Sequence, residues 1–167
     1  MLSQKARYAL RALFVLAERE KGASVQIADI AEEAKVPRKF LEQILLEMKK
    51  RGIVHSIRGK HGGYTLGRPA EEIMLAEVIR TIDGPLALSP CASRTAFRKC
   101  DDCIDEKTCA MRNVLLDVRD ATAAILESRS LASMVKDASV PSKKDEQKSR
   151  LKQGFIPAHR SSPPFPG

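Results

Sequence analysis

The chain has few aromatic residues and no long hydrophobic run. Its 167 residues include no tryptophan, two tyrosines and five phenylalanines, although apolar residues make up an ordinary 43%. No apolar run approaches the roughly 20 residues of a membrane-spanning helix, so we expect no membrane partner. The amino terminus lacks the apolar stretch of a secretory signal, which favours a cytoplasmic location. A chain of this length is expected to form one domain, or one small domain with appendages.

The chain also lacks the sequence patterns of common catalytic sites. It contains no Walker loop, G-x-G-x-x-G, G-x-S-x-G or H-E-x-x-H pattern. The glycine-rich segment 59–63 contains a lysine, but it does not have the spacing of a phosphate-binding loop. The three histidines, His55, His61 and His159, show no pairing with a nucleophile. We therefore expect neither an enzyme nor a small-molecule substrate.

Cysteines are confined to one segment of nineteen residues. Their spacing is C-x8-C-x2-C-x5-C, at positions Cys91, Cys100, Cys103 and Cys109. In a reducing cytosol, clustered cysteines indicate metal or redox chemistry more often than structural disulfides. Soft thiolates select iron–sulfur clusters or zinc, so this segment is a candidate metal loop. A thiol–disulfide switch is the alternative.

The net charge of +8 is unevenly distributed. Residues 1–70 carry 14 basic and 7 acidic groups, whereas residues 71–137 carry 9 basic and 12 acidic groups. A basic amino-terminal part on an acidic body favours a polyanionic partner, although a solvated basic face is the alternative. Residues 138–167 carry 6 basic and 2 acidic groups and are rich in Ser, Lys, Pro and Gln, a composition typical of a disordered tail.

Hydrophobic periodicity predicts three helices in the first fifty residues. We expect them over residues 3–20, 27–34 and 37–50, with Pro37 as the first residue of the third. The third helix should bury one face against the core. The residues predicted for that face are Phe40, Leu41, Ile44, Leu45 and Met48.

Two short strands are predicted next, at residues 54–57 and 64–66. The segment between them, residues 58–63, contains glycines that supply the positive φ a hairpin needs. A fourth helix is expected over residues 75–82. Helix, helix, tight turn, helix and hairpin is the order of a winged helix-turn-helix domain.

The third helix has an apolar face for the core and a polar face that is free to enter a major groove. Its candidate base-reading residues are Arg38, Lys39, Glu42 and Gln43. Gln pairs with adenine, Glu accepts from cytosine, and Arg grips guanine. Arg58, Lys60 and His61 in the hairpin are expected to reach phosphate or the minor groove. Each residue alone has a solvated position as its alternative, but turn, hairpin and charge together favour DNA binding.

A long helix is predicted from Cys109 to about Ser128. Apolar residues step by three and four along it, at Met111, Val114, Val118, Ala121 and Ile125. This spacing forms a coiled-coil-like seam, which is narrower than the stripe of a core-facing helix. The small winged helix-turn-helix domain, or head, has a limited core with which to cover such a seam. We therefore expect the seam to pair two protomers. An intramolecular face is the alternative.

Four segments and the cysteine loop resemble the winged-helix repressors and sensors of the IscR, NsrR and RirA type. The segments are KARYA at 5–9, FLEQI at 40–44, RGKHGGY at 58–64 and LAEVI at 75–79. The resemblance covers about residues 1–135. It implies a homodimeric bacterial transcription regulator, expected to be a repressor, that binds a double-stranded DNA operator. It also implies an iron–sulfur cluster, 2Fe–2S or 4Fe–4S, that senses iron status, redox state or nitric oxide.

The resemblance also implies roles for individual residues. These are DNA contact for Glu42, Gln43 and Arg58, and metal ligation for Cys91, Cys103 and Cys109. Two positions depart from the family pattern. Cys100 is an additional thiol, and Arg112 stands where some members have a ligating histidine. Cys100 is therefore the natural fourth ligand, although Cys100 and Cys103 could instead form a redox pair.

These observations predict a mainly α fold with a small β-hairpin, namely a winged helix-turn-helix head followed by a long C-terminal dimerisation helix. The expected DNA-binding domain spans residues 1–85, and the cysteine-rich loop spans 86–108. The dimerisation helix and a terminal helical turn span 109–137, and the basic tail spans 138–167. A winged-helix regulator whose cysteine loop binds zinc, or acts as a thiol–disulfide switch, is the alternative function.

Overall fold

A computed structural model describes residues 2–20, 22–59 and 62–139, and most of the predicted tail lies outside this range. The described elements are α1 (Gln4–Ala17), α2 (Ile27–Glu33), α3 (Arg38–Lys50), β1 (Val54–Ile57), β2 (Gly63–Leu66), α4 (Leu75–Asp83), a 3-10 turn (Pro90–Ala92), α5 (Ala110–Glu127) and α6 (Leu131–Ser139). The predicted fold class, mainly α with one antiparallel hairpin, is confirmed. The chain divides into two units, Met1–Val135 and Lys136–Gly167. None of the described helices is long and apolar enough to cross a membrane.

Helix α1 begins at a serine cap that also ties it to α4. The Ser3 hydroxyl accepts a hydrogen bond from the Ala6 backbone N–H at 3.0 Å, which satisfies a free donor at the helix start. The Ser3 backbone N–H donates to the Asp83 carboxylate at the end of α4, at 2.9 Å. Ala6, Ala9 and Ala12 are fully buried on α1. Because these side chains are small, α3 and α4 can pack closely against the α1 backbone.

A tight turn joins α2 to α3. Lys35 adopts a φ of 52°, and the Val36 N–H donates to the Ala31 carbonyl at 2.9 Å. Pro37 occupies the N-cap of α3 with an extended ψ of 126°. The prediction that Pro37 is the first helical residue was therefore wrong by one position. The turn directs α3 away from α2 with its apolar face towards the core.

The buried face of α3 is narrower than the sequence pattern predicts. Leu41, Ile44, Leu45 and Met48 are at most 1% exposed, whereas Phe40 is 60% exposed. At 3.6 residues per turn, Phe40 lies about 100° around the helix axis from Leu41, at the edge of the apolar face. The prediction that Phe40 is a core residue was therefore wrong.

The hairpin is fixed to the rest of the head by a backbone bridge. Strands β1 and β2 pair antiparallel, with Ile57 opposite Gly63. The Val25 N–H donates to the Tyr64 carbonyl at 2.9 Å, and the Tyr64 N–H donates to the Val25 carbonyl at 2.8 Å. A Cβ on Gly63 would lie 2.3 Å from the Val25 oxygen, so this bridge requires glycine. The hairpin is thereby held beside the segment that leads into α2.

After α5 the chain returns to the head. The Leu75 N–H donates to the Arg129 carbonyl at 2.9 Å, and the Leu131 N–H donates to the Ile73 carbonyl at 2.8 Å. The Leu131 side chain is 1% exposed and joins the hydrophobic core of the head. The sequence predicted only a terminal helical turn here. The structure shows a nine-residue helix, α6, whose first residue is anchored in the core.

The buried Leu131 side chain gives the first testable prediction. Leu131→Ala should lower the free energy of unfolding by about 2–5 kcal/mol, because it removes apolar contacts and leaves a cavity. Leu46→Ala on the exposed side of α3 is the matched control and should change stability by less than about 0.5 kcal/mol. Urea unfolding at one protein concentration measures both. Equal effects of the two variants would show that the α6 anchor contributes nothing to stability.

Candidate DNA-binding face and cysteine loop

The polar face of α3 is solvent-exposed over its first two turns. Arg38, Lys39, Glu42 and Gln43 are all exposed, as the sequence pattern predicts for a groove-facing surface. The apolar side of the same helix lies in the core. The Lys49 side chain further along α3 donates a hydrogen bond to the Ser56 hydroxyl on β1, a link between helix and hairpin that sequence patterns do not reveal.

Two of the candidate base-reading residues form an ion pair. The Arg38 Nε lies 3.4 Å from the Glu42 Oε1, and their side chains are 63% and 55% exposed. Exposed pairs of this kind contribute at most about 1 kcal/mol, so little energy is needed to separate them. Both side chains are therefore available to a ligand that offers better partners.

The hairpin presents Arg58 at the end of β1, where it is exposed. Gly59 follows with a φ of 112°, and the Gly62 N–H donates to the Gly59 carbonyl at 2.9 Å. This hydrogen bond joins the two sides of the hairpin beyond β1 and β2. The two remaining candidate residues of the hairpin, Lys60 and His61, lie outside the described residues.

Two arginines on α5 hold the start of the cysteine loop. The Arg112 Nε donates to the Cys91 carbonyl at 3.0 Å, and the Arg119 guanidinium donates to the Ala92 carbonyl at 2.7 Å. The Arg112 guanidinium also lies over the Phe97 ring, 5.9 Å from its centroid. The two arginines are seven residues apart, a spacing that places them on one helix face. That spacing was the available signal for this contact, and sequence analysis missed it.

The side chain of Arg119 is only 12% exposed and also binds its neighbour Asp120 at 2.7 Å. This hydrogen bond is the main reason that the pKa of Asp120 lies below its usual value. At the other end of α5, Arg80 on α4 pairs with Glu127 at 2.5 Å. Helix α5 is thus attached to the head and to the loop by an ion pair and by hydrogen bonds, and no residue within it is fully buried.

Ser89 brings two of the four thiols together. Its hydroxyl lies 3.3 Å from the Cys91 Sγ and 4.0 Å from the Cys100 Sγ. The Ser89 hydrogen bond is the largest of the effects that lower the pKa of the Cys91 thiol. The interaction with Cys91 is the largest of those that raise the pKa of the Cys100 thiol. Cys91 is 4% exposed, and Cys100 is half-buried.

The other two cysteines occupy turns in the same loop. The Cys109 Sγ caps α5 by accepting a hydrogen bond from the Arg112 backbone N–H at 3.4 Å. The Cys103 N–H donates to the Cys100 carbonyl at 3.2 Å. Arg112 therefore contacts the backbone of Cys91 and the sulfur of Cys109, which places both ends of the loop at the first turn of α5.

The four thiols match the chemistry of an iron–sulfur or zinc site, because thiolate sulfur is the preferred ligand of both. Their described positions bring Cys91 and Cys100 together. Among residues 2–20, 22–59 and 62–139, no three ligand side chains converge on one point. The loop thus holds suitable donors, and two of them share one serine hydroxyl.

The predicted seam of α5 is not covered by the rest of the described chain. Its five residues are all exposed, and they are Met111, Val114, Val118, Ala121 and Ile125. Met111, Val114 and Ile125 are 60–65% exposed. The side of α5 that carries Arg112 and Arg119 faces the cysteine loop instead. Val118 is less exposed, at 40%, and lines a groove together with Leu2, Ile79 and Leu88.

A family model described as Rrf2, an iron-dependent transcriptional regulator, matches residues 2–137. An rrf2-like HTH-type regulator of Rhodobacter capsulatus is 41% identical over 138 residues, which cover 81% of this chain and 92% of that protein. The HTH-type transcriptional regulator IscR of Photorhabdus laumondii is 32% identical, and the match covers 92% of each chain.

Solved structures show the same fold. The global cysteine regulator CymR of B. subtilis superposes with a TM-score of 0.67 at 27% identity, over 81% of this chain and 96% of that one. T. potens IscR superposes with a TM-score of 0.63 at 28% identity, over 87% of this chain and 96% of that one. These relatives are regulators, and the prediction that the chain is not an enzyme is thereby confirmed.

Proposed function

Because the chain belongs to the Rrf2 family of transcriptional regulators, we propose that it represses transcription as a homodimer on a double-stranded DNA operator. We further propose that an iron–sulfur cluster bound by the cysteine loop controls its operator affinity. The main support for DNA binding is the two-sided character of α3. Its apolar side is buried in the core, while Arg38, Lys39, Glu42 and Gln43 are exposed together at its amino-terminal end.

In this proposal α3 enters the major groove, where Gln43 pairs with adenine and Glu42 accepts from cytosine. The weak pair between Arg38 and Glu42 opens on binding, which frees Arg38 for guanine or phosphate. Arg58 on the hairpin contacts the backbone or the minor groove, and we assign Lys60 and His61 the same role. The bridge between Val25 and Tyr64 supports this assignment, because it holds the hairpin beside the helix-turn-helix.

We propose that the exposed seam of α5 pairs two protomers. Apolar residues at coiled-coil spacing bury best against the same stripe of a second copy. A two-fold axis along this seam sets the distance between the two α3 helices. The operator is then a rough palindrome with half-sites about one or more helical turns apart.

We propose Cys91, Cys103 and Cys109 as ligands of the cluster, with Cys100 as the fourth. When bound, the cluster supplies a group that responds to iron, redox state or nitric oxide. The residues that couple this loop to DNA are Arg112 and Arg119, which hold the carbonyls of Cys91 and Ala92 against α5. A shift of the loop would therefore move α5, and with it the spacing of the two heads. Such coupling requires that the protein bind the operator with different affinities in the two states of the loop.

A winged-helix regulator with zinc in the same loop is the second candidate, because four thiolates also suit tetrahedral zinc. The visible spectrum of anaerobically purified protein separates the two, since zinc–thiolate sites are colourless and iron–sulfur clusters are brown. Operator titrations of cluster-loaded and cluster-free protein at one salt concentration test the coupling. Equal affinities would leave the metal with a structural role only.

Gln43 provides a test of base reading. Gln43→Ala should weaken binding to a mapped operator by about 1–3 kcal/mol and relax the preference at one base pair. Lys50→Ala, at the far end of α3, is the control. If Lys50 contacts phosphate, this change should weaken binding to all DNA sequences by the same factor. Fluorescence anisotropy titrations with operator variants measure both effects. Unchanged affinity and preference in Gln43→Ala would identify Gln43 as a solvated position.

The cysteine loop provides a test of ligation. Cys103→Ala should abolish the visible absorbance of anaerobic protein, because it removes one proposed ligand. Thr95→Ala, at an exposed position in the same loop and outside the proposed ligand set, is the control and should retain the absorbance. Iron content measured on the same samples gives an independent readout. Full iron occupancy in a variant with Cys91, Cys103 and Cys109 all replaced by alanine would exclude the assignment.

Val118 provides a test of the dimer. Val118→Glu places a charge in the middle of the seam and should yield monomers with weakened operator binding, because burying an unpaired charge is costly. Asn113→Glu, at an exposed position about 140° around the helix axis from Val118, should remain dimeric. Light scattering coupled to size-exclusion chromatography measures the mass of each. A fully dimeric Val118→Glu protein would contradict the proposed interface.

A further inference from the structure

The contact between Cys91 and Cys100 has no counterpart in the sequence pattern. The C-x2-C spacing favours Cys100 and Cys103 as a redox pair, since these are near neighbours along the chain. The structure brings Cys100 to Cys91 instead, with the Ser89 hydroxyl within 3.3 Å of one sulfur and 4.0 Å of the other. The Ser89 hydroxyl is thus shared by the two sulfurs, and the proximity of Cys91 raises the pKa of the Cys100 thiol.

The backbone holds this pair in place. The Pro90 carbonyl accepts hydrogen bonds from the Ser93 N–H at 3.1 Å and from the Arg98 N–H at 3.3 Å. The second bond folds the segment that leads to Cys100 back beside Cys91. Arg112 fixes the other side of Cys91 through its carbonyl. The two sulfurs therefore lie beside the same hydroxyl because hydrogen bonds close the backbone loop between them.

A small reagent has access to one member of the pair. Cys91 is nearly fully buried, but Cys100 lines an open cavity of about 400 Å³. Arg98 and Lys99 border this cavity, opposite Asp101 and Asp102. A neutral molecule as small as hydrogen peroxide fits such a space and reaches the pair from the side of Cys100.

We propose that Cys91 and Cys100 form a disulfide when the metal-free loop meets a peroxide. The two thiols lose two protons and two electrons, and a bond forms between their sulfurs. The O–O bond of the peroxide breaks, and its two oxygens accept the protons and electrons and leave as water. No other reactant is required. The bond closes the loop from Cys91 to Cys100 and removes both sulfurs from metal ligation.

This proposal goes beyond the proposed DNA-binding and cluster functions and does not depend on either. It adds a redox modification site at a thiol, Cys100, that lies outside the three-cysteine pattern of the resembling regulators. A loop closed by this bond would need reduction before Cys91 could serve as a ligand again. After peroxide removes the cluster, the disulfide would prevent a new cluster from binding until a thiol reduces it.

The test uses the full-length protein, reduced, freed of metal with a chelator, and exposed to hydrogen peroxide. Remaining thiols are alkylated, and the chain is cut before aspartate. This cleavage yields the fragment 83–100, which contains Cys91 and Cys100 and neither of the other cysteines. We expect this fragment to be unalkylated and lighter by two hydrogen atoms, and to regain two alkyl groups if a reductant is added before alkylation.

Cysteine variants identify the two residues that form the bond. Cys91→Ser and Cys100→Ser should each lose the lightened fragment, whereas Cys103→Ser should retain it at the yield of the unaltered protein. Circular dichroism confirms that each variant is folded. Two results on the unaltered protein would overturn the proposal without any variant: a doubly alkylated fragment 83–100 after peroxide treatment, or a bond that links this fragment to one containing Cys103 or Cys109.

Discussion

Burial of one side of α3 in the core determines which of its side chains are free to contact DNA. Leu41, Ile44, Leu45 and Met48 are held against α1 and α4, and this packing fixes the rotation of the helix about its own axis. The polar residues at its amino-terminal end are exposed as a consequence. The hairpin then depends on the same core, because the bridge from Val25 to Tyr64 attaches it to the segment before α2. A recognition surface on this protein is therefore a product of core packing.

Helix α5 is attached to its surroundings in a different way from α3. The helix buries no residue fully and contacts the loop through two guanidinium groups, each of which donates to a backbone carbonyl. Hydrogen bonds that involve a charged group contribute about 1.5–3 kcal/mol each, so the two guanidinium groups hold the loop firmly to α5. Under the proposed coupling, a shift of the loop would therefore carry this end of α5 with it. The anchor at Leu131 returns the chain to the head immediately after α5 and holds the other end in place.

The cysteine loop combines two kinds of chemistry in one short segment. Four thiols are suitable ligands. Two of them, Cys91 and Cys100, lie beside the Ser89 hydroxyl, in a loop that the Pro90 carbonyl closes. The same serine stabilises the thiolate of Cys91, while the neighbouring sulfur disfavours ionisation of Cys100. Under the two proposals made above, metal ligation and oxidation would compete for Cys91.

Much of this protein was determined by local features of its sequence. Gly52 and Gly84 mark the ends of α3 and α4, and apolar periodicity placed most helices within one residue, although α1 ends at Ala17 and not at residue 20. The hairpin, the exposed polar side of α3 and the apolar seam of α5 followed from the same patterns. Tertiary structure decided the rest. Contacts between separate segments decided the exposure of Phe40, the position of Cys100 beside Ser89, and the burial of Leu131. The spacing of residue types along the chain determines local secondary structure. Contacts between residues far apart in sequence form only when the core packs.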